Sequence, residues 1–310
     1  MRTIFFGTPE LGIPALEVLR RRTNLLAVVC QPDKEQGRGR KPVPPPVKEW
    51  AIQHGVTVCQ PEKLNDGTFE AWLRTHAPDL CVVAAYGRLL KQPILDVPRM
   101  GFLNIHPSLL PKYRGPSPIQ TSILNGETKT GVTIMKVTLE MDAGPIMLQV
   151  EAPIYPEDTS LSLTNRLAQV GATLLNEAIT LLETGRASFT PQDDSQATYC
   201  KLFEKSDGLI HWNKPAIAIH NLVRAAIPWP VAFSSYRGET MRIFKTEPLQ
   251  STAPAEPGTI TEVTKDAIIV ATGEGTLAIR ELQMPGKRRM TTAEFLRGRK
   301  IDVGSKFETT

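Results

Sequence analysis

The first thirty residues change hydrophobic period twice, and that switch constrains the fold more than any other feature of the chain. Thr3 to Phe6 is a short apolar run, Ile13 to Arg22 repeats its apolar residues with a helical period, and Leu25 to Cys30 returns to a strand-like run. Strand, helix, strand spells a βαβ unit, whose strands lie parallel because the helix carries the chain back across the sheet. Further strands are expected at Val56 to Cys59, Leu80 to Ala84, Gly101 to Ile105, Val132 to Val137 and Ile146 to Ala152, with helical patterns between several of them. The fold class is therefore α/β: a doubly wound, Rossmann-like, mostly parallel sheet. A long amphipathic pattern from Leu161 to Leu182 reads as the helix that closes this region.

Periodicity is lost over residues 186–208, a polar stretch containing a proline, as expected of a connection between domains. A chain of 310 residues also exceeds the usual size of one domain. The expected organisation is a first domain over 1–188, a linker over 189–207 and a second domain over 208–310. In the second, one helical pattern (Ala216 to Ala226) is followed by short β-type runs at Val231 to Tyr236, Met241 to Phe244, Gly258 to Val263, Ala267 to Ala271 and Thr276 to Leu282. Regularly spaced short strands suggest a smaller β-barrel, OB-like in scale. No internal repeat is visible, and the only biased segment is the proline cluster Pro42, Pro44, Pro45 and Pro46.

Composition excludes several classes. Hydrophobic residues at 41% and charged residues at 22% match a soluble globular protein. The opening MRTIFFGTPELG has too short an apolar run for a signal peptide, so a cytoplasmic location is expected. The most apolar stretch, Leu80 to Tyr86, falls far short of the roughly 20 residues that span a bilayer. Cys30, Cys59, Cys81 and Cys200 show no C-x-x-C spacing and read as reduced thiols, and the five histidines include no i, i+4 pair, so no metal is expected. Residues 1–204 hold 21 Lys/Arg and 21 Asp/Glu, whereas 205–310 hold 15 and 11, so the net +4 belongs to the C-terminal third. That asymmetry hints at a polyanionic partner.

The opening FFGTPELG resembles a phosphate loop in position but matches neither G-x-G-x-x-G nor G-x-x-x-x-G-K-[ST], and reads as a tight strand-to-helix turn. GFLNIHPSLLPKYRGPSPIQ, residues 101–120, is more informative. Asn104 and His106 lie two apart on an expected strand, so their side chains share a face. Pro107 stops that strand, leaving the pair at its C-terminal end, where open α/β sheets bind ligands. Asp142, in LEMDAGPI, is a candidate for the same edge, and a carboxylate there would orient the imidazole. Each residue also has a bland reading: a hydrogen-bonded structural histidine, a turn asparagine, a turn aspartate before Ala-Gly.

The run NIHPSLLPKYRGPSPI resembles the N-x-H-x-S-L-L-P-x-x-R-G signature of the folate-dependent formyltransferases, and DAGPI resembles their downstream aspartate motif. Ser117 departs from the alanine usual in RGxAPI. Other stretches resemble the branch of that family acting on methionyl initiator tRNA: FFGTPELG, QPDKEQGRGRKPVPPPVK, YCKLFEKSDGLIHW and RAAIPWPVAF. The resemblance implies transfer of a formyl group from 10-formyltetrahydrofolate to that tRNA's α-amino group, without a metal. It assigns Asn104, His106 and Asp142 to catalysis, and the residue types suit Asn104 and a protonated His106 as oxyanion donors, with Asp142 holding the imidazolium charged. It assigns Ser108, Leu109, Leu110 and Pro111 to the folate site, and suggests that AAYGRLL, around Tyr86 and Gly87, lines the pterin pocket, although a buried strand ending in a turn explains those residues equally.

The loop Gln36 to Lys48 holds Arg38, Arg40, Lys41 and Lys48 and, after Gln36, no acid before Lys48. The same resemblance makes it a tRNA-binding element rather than a solvated surface loop. A second basic cluster, Lys287, Arg288, Arg289, Arg297, Arg299 and Lys300, faces only Glu294 within its own stretch, and Arg288 and Arg289 are its candidate tRNA contacts. Trp212 and Trp229 read as core residues rather than base-stacking platforms. A monomer is the default. The competing readings are the same chemistry on another amine, such as an amino sugar nucleotide, and a non-catalytic RNA-binding protein, which would explain the basic patches but not the N-x-H and Asp constellation.

Overall fold

A computed structural model describes residues 1–36, 41–250 and 255–308. The chain divides into two compact units: one of residues 1–118, 129–153 and 164–201, the other of 119–128, 154–163 and 202–310.

The elements through the first sheet, in chain order, are β1 (Arg2–Gly7), α1 (Ile13–Arg22), β2 (Asn24–Val29), the short pair β3 (Lys34–Gln36) and β4 (Lys41–Val43), α2 (Pro46–Gln53), β5 (Thr57–Cys59), α3 (Thr68–His76), β6 (Leu80–Ala84), α4 (Gln92–Leu95), β7 (Phe102–His106), α5 (Pro118–Leu124), β8 (Lys129–Lys136) and β9 (Ile146–Pro153). The sheet runs β5-β2-β1-β6-β7-β8-β9. Its first five strands are parallel, and β8 and β9 are antiparallel, so the expected mostly parallel sheet ends in an antiparallel edge. β1 is buried from Thr3 to Gly7 and exposed only at Arg2, as a central strand covered on both faces must be. Phe6 anchors one face, meeting Phe69, Tyr86 and Phe102 edge-on at centroid distances of 6.0, 5.5 and 5.2 Å. The proline cluster ends in helix α2, with Pro46 at a first-turn position where its missing N–H costs nothing.

The later elements are α6 (Ser160–Glu183), α7 (Ala216–Ala225), β10 (Ala232–Tyr236), β11 (Glu239–Leu249), β12 (Ile260–Val263), β13 (Ile268–Ala271), β14 (Thr276–Gln283), β15 (Met290–Thr291), α8 (Thr292–Gly298) and β16 (Phe307–Glu308). Strands β12-β13-β14-β11-β10-β16 form an antiparallel sheet with β15 beside β14. It curls: β16 pairs with β10, while Ile260 N–H donates to the Ser305 carbonyl and Phe307 N–H to the Gly258 carbonyl, tying the last strand back to the head of β12. Trp212 fills this core, its Nε1 donating to Ser234 Oγ at 2.9 Å, as expected of a core tryptophan. Trp229 is 55% exposed, against that expectation. α8 was not anticipated, although its capping box was legible as Thr291-x-x-Glu294.

Candidate active site

β7 reads Phe-Leu-Asn-Ile-His, and its three apolar residues bind it into the sheet between β6 and β8. Alternation leaves Asn104 and His106 on one face, with Ile105 on the other, where a small apolar cavity of about 10 Å³ lies. Asp142 reaches the pair from the loop that follows β8. β8 is antiparallel to β7, so its end, Lys136, sits beside Leu103 at the start of β7, and the loop over 137–145 follows from there. That loop returns to β7 and brings the Asp142 carboxylate to Asn104 and to His106, the last residue of the strand. Gly144 makes the reversal possible, since a Cβ there would stand 1.8 Å from the Lys136 carbonyl oxygen.

The three residues meet. Asn104 Nδ2 donates to Asp142 Oδ1 at 3.3 Å, and His106 Nδ1 lies 3.7 Å from Asp142 Oδ2. Gly115 N–H donates to the same Oδ2 at 2.8 Å. His106 is 4% exposed, and its Nε2 lies 3.0 Å from the Tyr113 carbonyl oxygen. A carbonyl only accepts, so Nε2 carries a proton and Nδ1 is the nitrogen facing the carboxylate. Both imidazole nitrogens face protein groups, Nε2 the Tyr113 carbonyl and Nδ1 the Asp142 carboxylate, and the amide of Asn104 keeps one N–H for another acceptor. Asp142 and Tyr113 have φ of 52° and 61°, conformations that L-residues adopt at a cost and that cluster at functional sites.

The segment over residues 190–200, featureless in sequence, walls this site. Thr190 bridges Ile146, and Tyr113 N–H donates to Thr198 Oγ1 at 2.9 Å. Arg114 N–H donates to the Thr198 carbonyl, and Cys200 N–H to the Arg114 carbonyl. Gly115 is required beneath it, with φ of 115° and a Cβ position 2.4 Å from the Cys200 oxygen. Arg114, although part of the conspicuous run, was assigned no role from sequence. Burial works against its charge, but bonds to Asp194 and Tyr199 outweigh this and hold the guanidinium above its ordinary range.

Ser108 to Pro111 form a tight turn after β7. Ser108 is fully buried, its hydroxyl donating to the Lys112 carbonyl at 2.7 Å, while Thr133 Oγ1 donates to the Ser108 carbonyl at 2.7 Å. Gln149 Nε2 donates to the Leu110 carbonyl at 2.9 Å, and Leu109 packs over Gly131. Tyr86 is buried, and its carbonyl accepts from Gln31 Nε2 at 2.8 Å.

Arg38 and Arg40 lie outside the described residues, as does the Lys41 side chain. Lys48 pairs at 2.8 Å with Asp33, an acid just outside the Gln36 to Lys48 window. The C-terminal cluster is likewise more compensated than expected: Arg288 pairs with Glu294 at 2.8 Å, Arg289 with Glu281, Arg299 with Glu239 and Lys300 with Asp302. Counting charge along the chain missed partners supplied by neighbouring strands. Among the described residues, no group of three His, Cys, Asp or Glu is arranged to hold a metal ion, and no helix is long and apolar enough to cross a membrane.

Comparison with known proteins agrees with this architecture. The model of the formyl transferase family matches residues 1–179, and that of the formyl transferase C-terminal domain matches 203–300. A methionyl-tRNA formyltransferase of Acetivibrio thermocellus is 45% identical over 306 residues, covering 98% of both chains. Another, of Trichlorobacter lovleyi, is 44% identical over 305 residues, covering 98% of this chain and 96% of its own. Among solved structures, an N-formyltransferase of Helicobacter canadensis in complex with folinic acid and dTDP-3-aminofucose superposes with a TM-score of 0.67 at 19% identity, covering 91% of this chain and 98% of its own. HypX of Aquifex aeolicus in complex with tetrahydrofolic acid superposes with a TM-score of 0.64 at 19% identity; the match covers 98% of this chain but only 50% of HypX. These two establish likeness of fold, whereas the family models and the full-length relatives establish descent: the chain belongs to the formyl transferase family, in the company of the methionyl-tRNA formyltransferases.

Proposed function

We propose that this chain transfers the formyl group of 10-formyltetrahydrofolate to the α-amino group of methionyl initiator tRNA, preparing it for translation initiation. The observation that carries the reading is the meeting of Asn104, His106 and Asp142 on one face of β7, in a chain with full-length relatives that are methionyl-tRNA formyltransferases. The folate donor supplies the one-carbon group, and the chain's own residues supply donation, proton handling and orientation. Asn104 uses one amide hydrogen on Asp142 and directs the other at the formyl oxygen as it gains negative charge; a preorganised donor of this kind is worth about 3 to 4 kcal/mol in the transition state. His106 and Asp142 receive the proton that the attacking amine loses and pass it to the tetrahydrofolate nitrogen as its bond to the formyl carbon breaks, with Gly115 N–H fixing the carboxylate meanwhile. An α-amino group titrates near pH 8, so much of the nucleophile is already neutral and orientation matters as much as base strength.

The turn Ser108, Leu109, Leu110 and Pro111 is assigned to the folate side of the site. Because the Ser108 hydroxyl is already bonded to Lys112, that turn contributes through its backbone and the Leu109 side chain. Arg38, Arg40 and Lys41 are assigned to the acceptor end of the tRNA, and Arg288 and Arg289 to its phosphates. The ion pairs of Arg288 and Arg289 are exposed and therefore weak, so a phosphate competes with Glu294 and Glu281 for the two guanidinium groups. The reading places the enzyme in the cytoplasm as a monomer. The test offers 10-formyltetrahydrofolate with methionyl initiator tRNA, free methionine and an amino sugar nucleotide in parallel. Formylation of the tRNA alone supports the reading, and a preference for either small acceptor rejects it.

A further inference from the structure

Gln192 links two parts of the site through hydrogen bonds whose directions are unambiguous. Its Oε1 accepts from Arg114 Nε at 3.1 Å and from Arg114 Nη2 at 2.8 Å. A guanidinium has only donors, so the amide oxygen must face it and the amide nitrogen must face away. That nitrogen donates to the Asp142 carbonyl and to the Gly144 carbonyl, both at 2.8 Å. Arg114 is itself held, being 3% exposed, with Nη2 donating to Asp194 Oδ1 at 2.6 Å and Nη1 to the Tyr199 hydroxyl at 3.4 Å. The recipients are the backbone of the loop that returns to β7, at a residue with φ of 52°. A non-glycine residue in that region keeps its conformation only where its surroundings impose it.

We propose that Gln192 is a positioning residue for formyl transfer: by holding the Asp142 and Gly144 carbonyls, it aims the Asp142 carboxylate at His106 Nδ1 and Gly115 N–H. The inference rests on the reading of Asp142 as part of the reacting centre. It gives the segment over 190–200, which looks like a passive connection in sequence, a part in the chemistry. Loss of the amide would let Asp142 relax out of its left-handed conformation, and an ångström of displacement at a reacting group is enough to lower turnover about a hundredfold.

The test compares Gln192→Ala, Gln192→Glu and Asp142→Ala in the full chain, measuring kcat and KM for methionyl initiator tRNA, the pH profile of kcat, and thermal unfolding. Gln192→Glu is the discriminating variant. It keeps the acceptors facing Arg114 and strengthens that attachment, but turns an acceptor toward two carbonyls that also only accept. If Gln192 positions Asp142, Gln192→Glu lowers kcat tenfold or more at neutral pH with KM within about twofold. Activity then recovers toward acid pH as the new carboxyl gains a proton it can donate. If Gln192 merely ties its segment to Arg114, Gln192→Glu has wild-type kcat, and the inference is overturned. Gln192→Ala with unchanged kcat overturns it equally. An Asp142→Ala enzyme that retains full activity refutes the prior reading of the site instead. Where Gln192→Ala does not fold, Gln192→Glu decides alone, because it retains the bonds to Arg114.

Discussion

Replacing Asn104 by alanine and by aspartate tests the site by two perturbations of opposite kind. Asn104→Ala removes the amide without adding charge, and loss of one oxyanion donor costs about 3 to 4 kcal/mol, so kcat should fall between a hundredfold and a thousandfold with KM little changed. Asn104→Asp is nearly isosteric, but it sets a second carboxylate against Asp142 where Nδ2 and Oδ1 now lie 3.3 Å apart. At an effective dielectric of about 20, two unit charges at that distance repel by roughly 5 kcal/mol. Such a pair avoids the repulsion by binding one shared proton, which raises the apparent pKa of one carboxyl. A protonated carboxyl donates as an amide does. The aspartate variant should therefore be as impaired as the alanine variant at high pH and partly recover as pH falls, whereas Asn104→Ala has no such recovery. The assay is single-turnover formylation of methionyl initiator tRNA from about pH 5.5 to 8.5. An alanine variant within tenfold of wild type, or parallel pH profiles for the two variants, would refute the donor role.

Three further outcomes follow from other parts of the fold. Burial pushes the Cys30 and Cys59 thiols up to about 11, and that of Cys81 well above its ordinary value, so these three should react with a disulfide reagent at pH 8 more than a hundredfold slower than free cysteine until the chain is denatured. Glu294 is held down to about 2 by bonds from Arg288 and Thr291. Because its pKa in the fold lies below its ordinary value of 4.5, its contribution to the start of α8 is complete above that value and is lost as pH falls toward 2; carbon-detected titration of its carboxyl should show this, and Glu294→Gln should abolish the pH dependence of the Thr291 and Glu294 amide shifts. Removing Arg288 and Arg289 together should weaken tRNA binding and flatten its dependence on salt while leaving kcat nearly intact, whereas Arg38→Ala should lower kcat. If neither variant changes tRNA affinity or its salt dependence, tRNA contact by these residues is excluded.

The hydrophobic period alone was enough to announce the βαβ opening, the strand carrying Asn104 and His106, and the later run of short strands, because an apolar face must repeat with its own element wherever that element packs. The shared face of Asn104 and His106 was legible for the same reason, since side chains alternate along any strand. Thr291-x-x-Glu294 offered a comparable local signal for α8. What the chain order could not convey was which groups meet across long separations. The return of the loop over 137–145 depends on β8 being antiparallel and on Gly144 fitting against Lys136. The partners of Arg289 and Arg299 come from β14 and β11, so a count of charge along the chain exaggerated the basic patch. The path from Arg114 through Gln192 to Asp142 joins two residues to a third that lies 78 and 50 positions away, in a stretch with no periodicity. Hydrophobic patterning is a property of neighbours in sequence, whereas the direction of a carboxylate is decided by donors and acceptors that become neighbours only when the chain is folded.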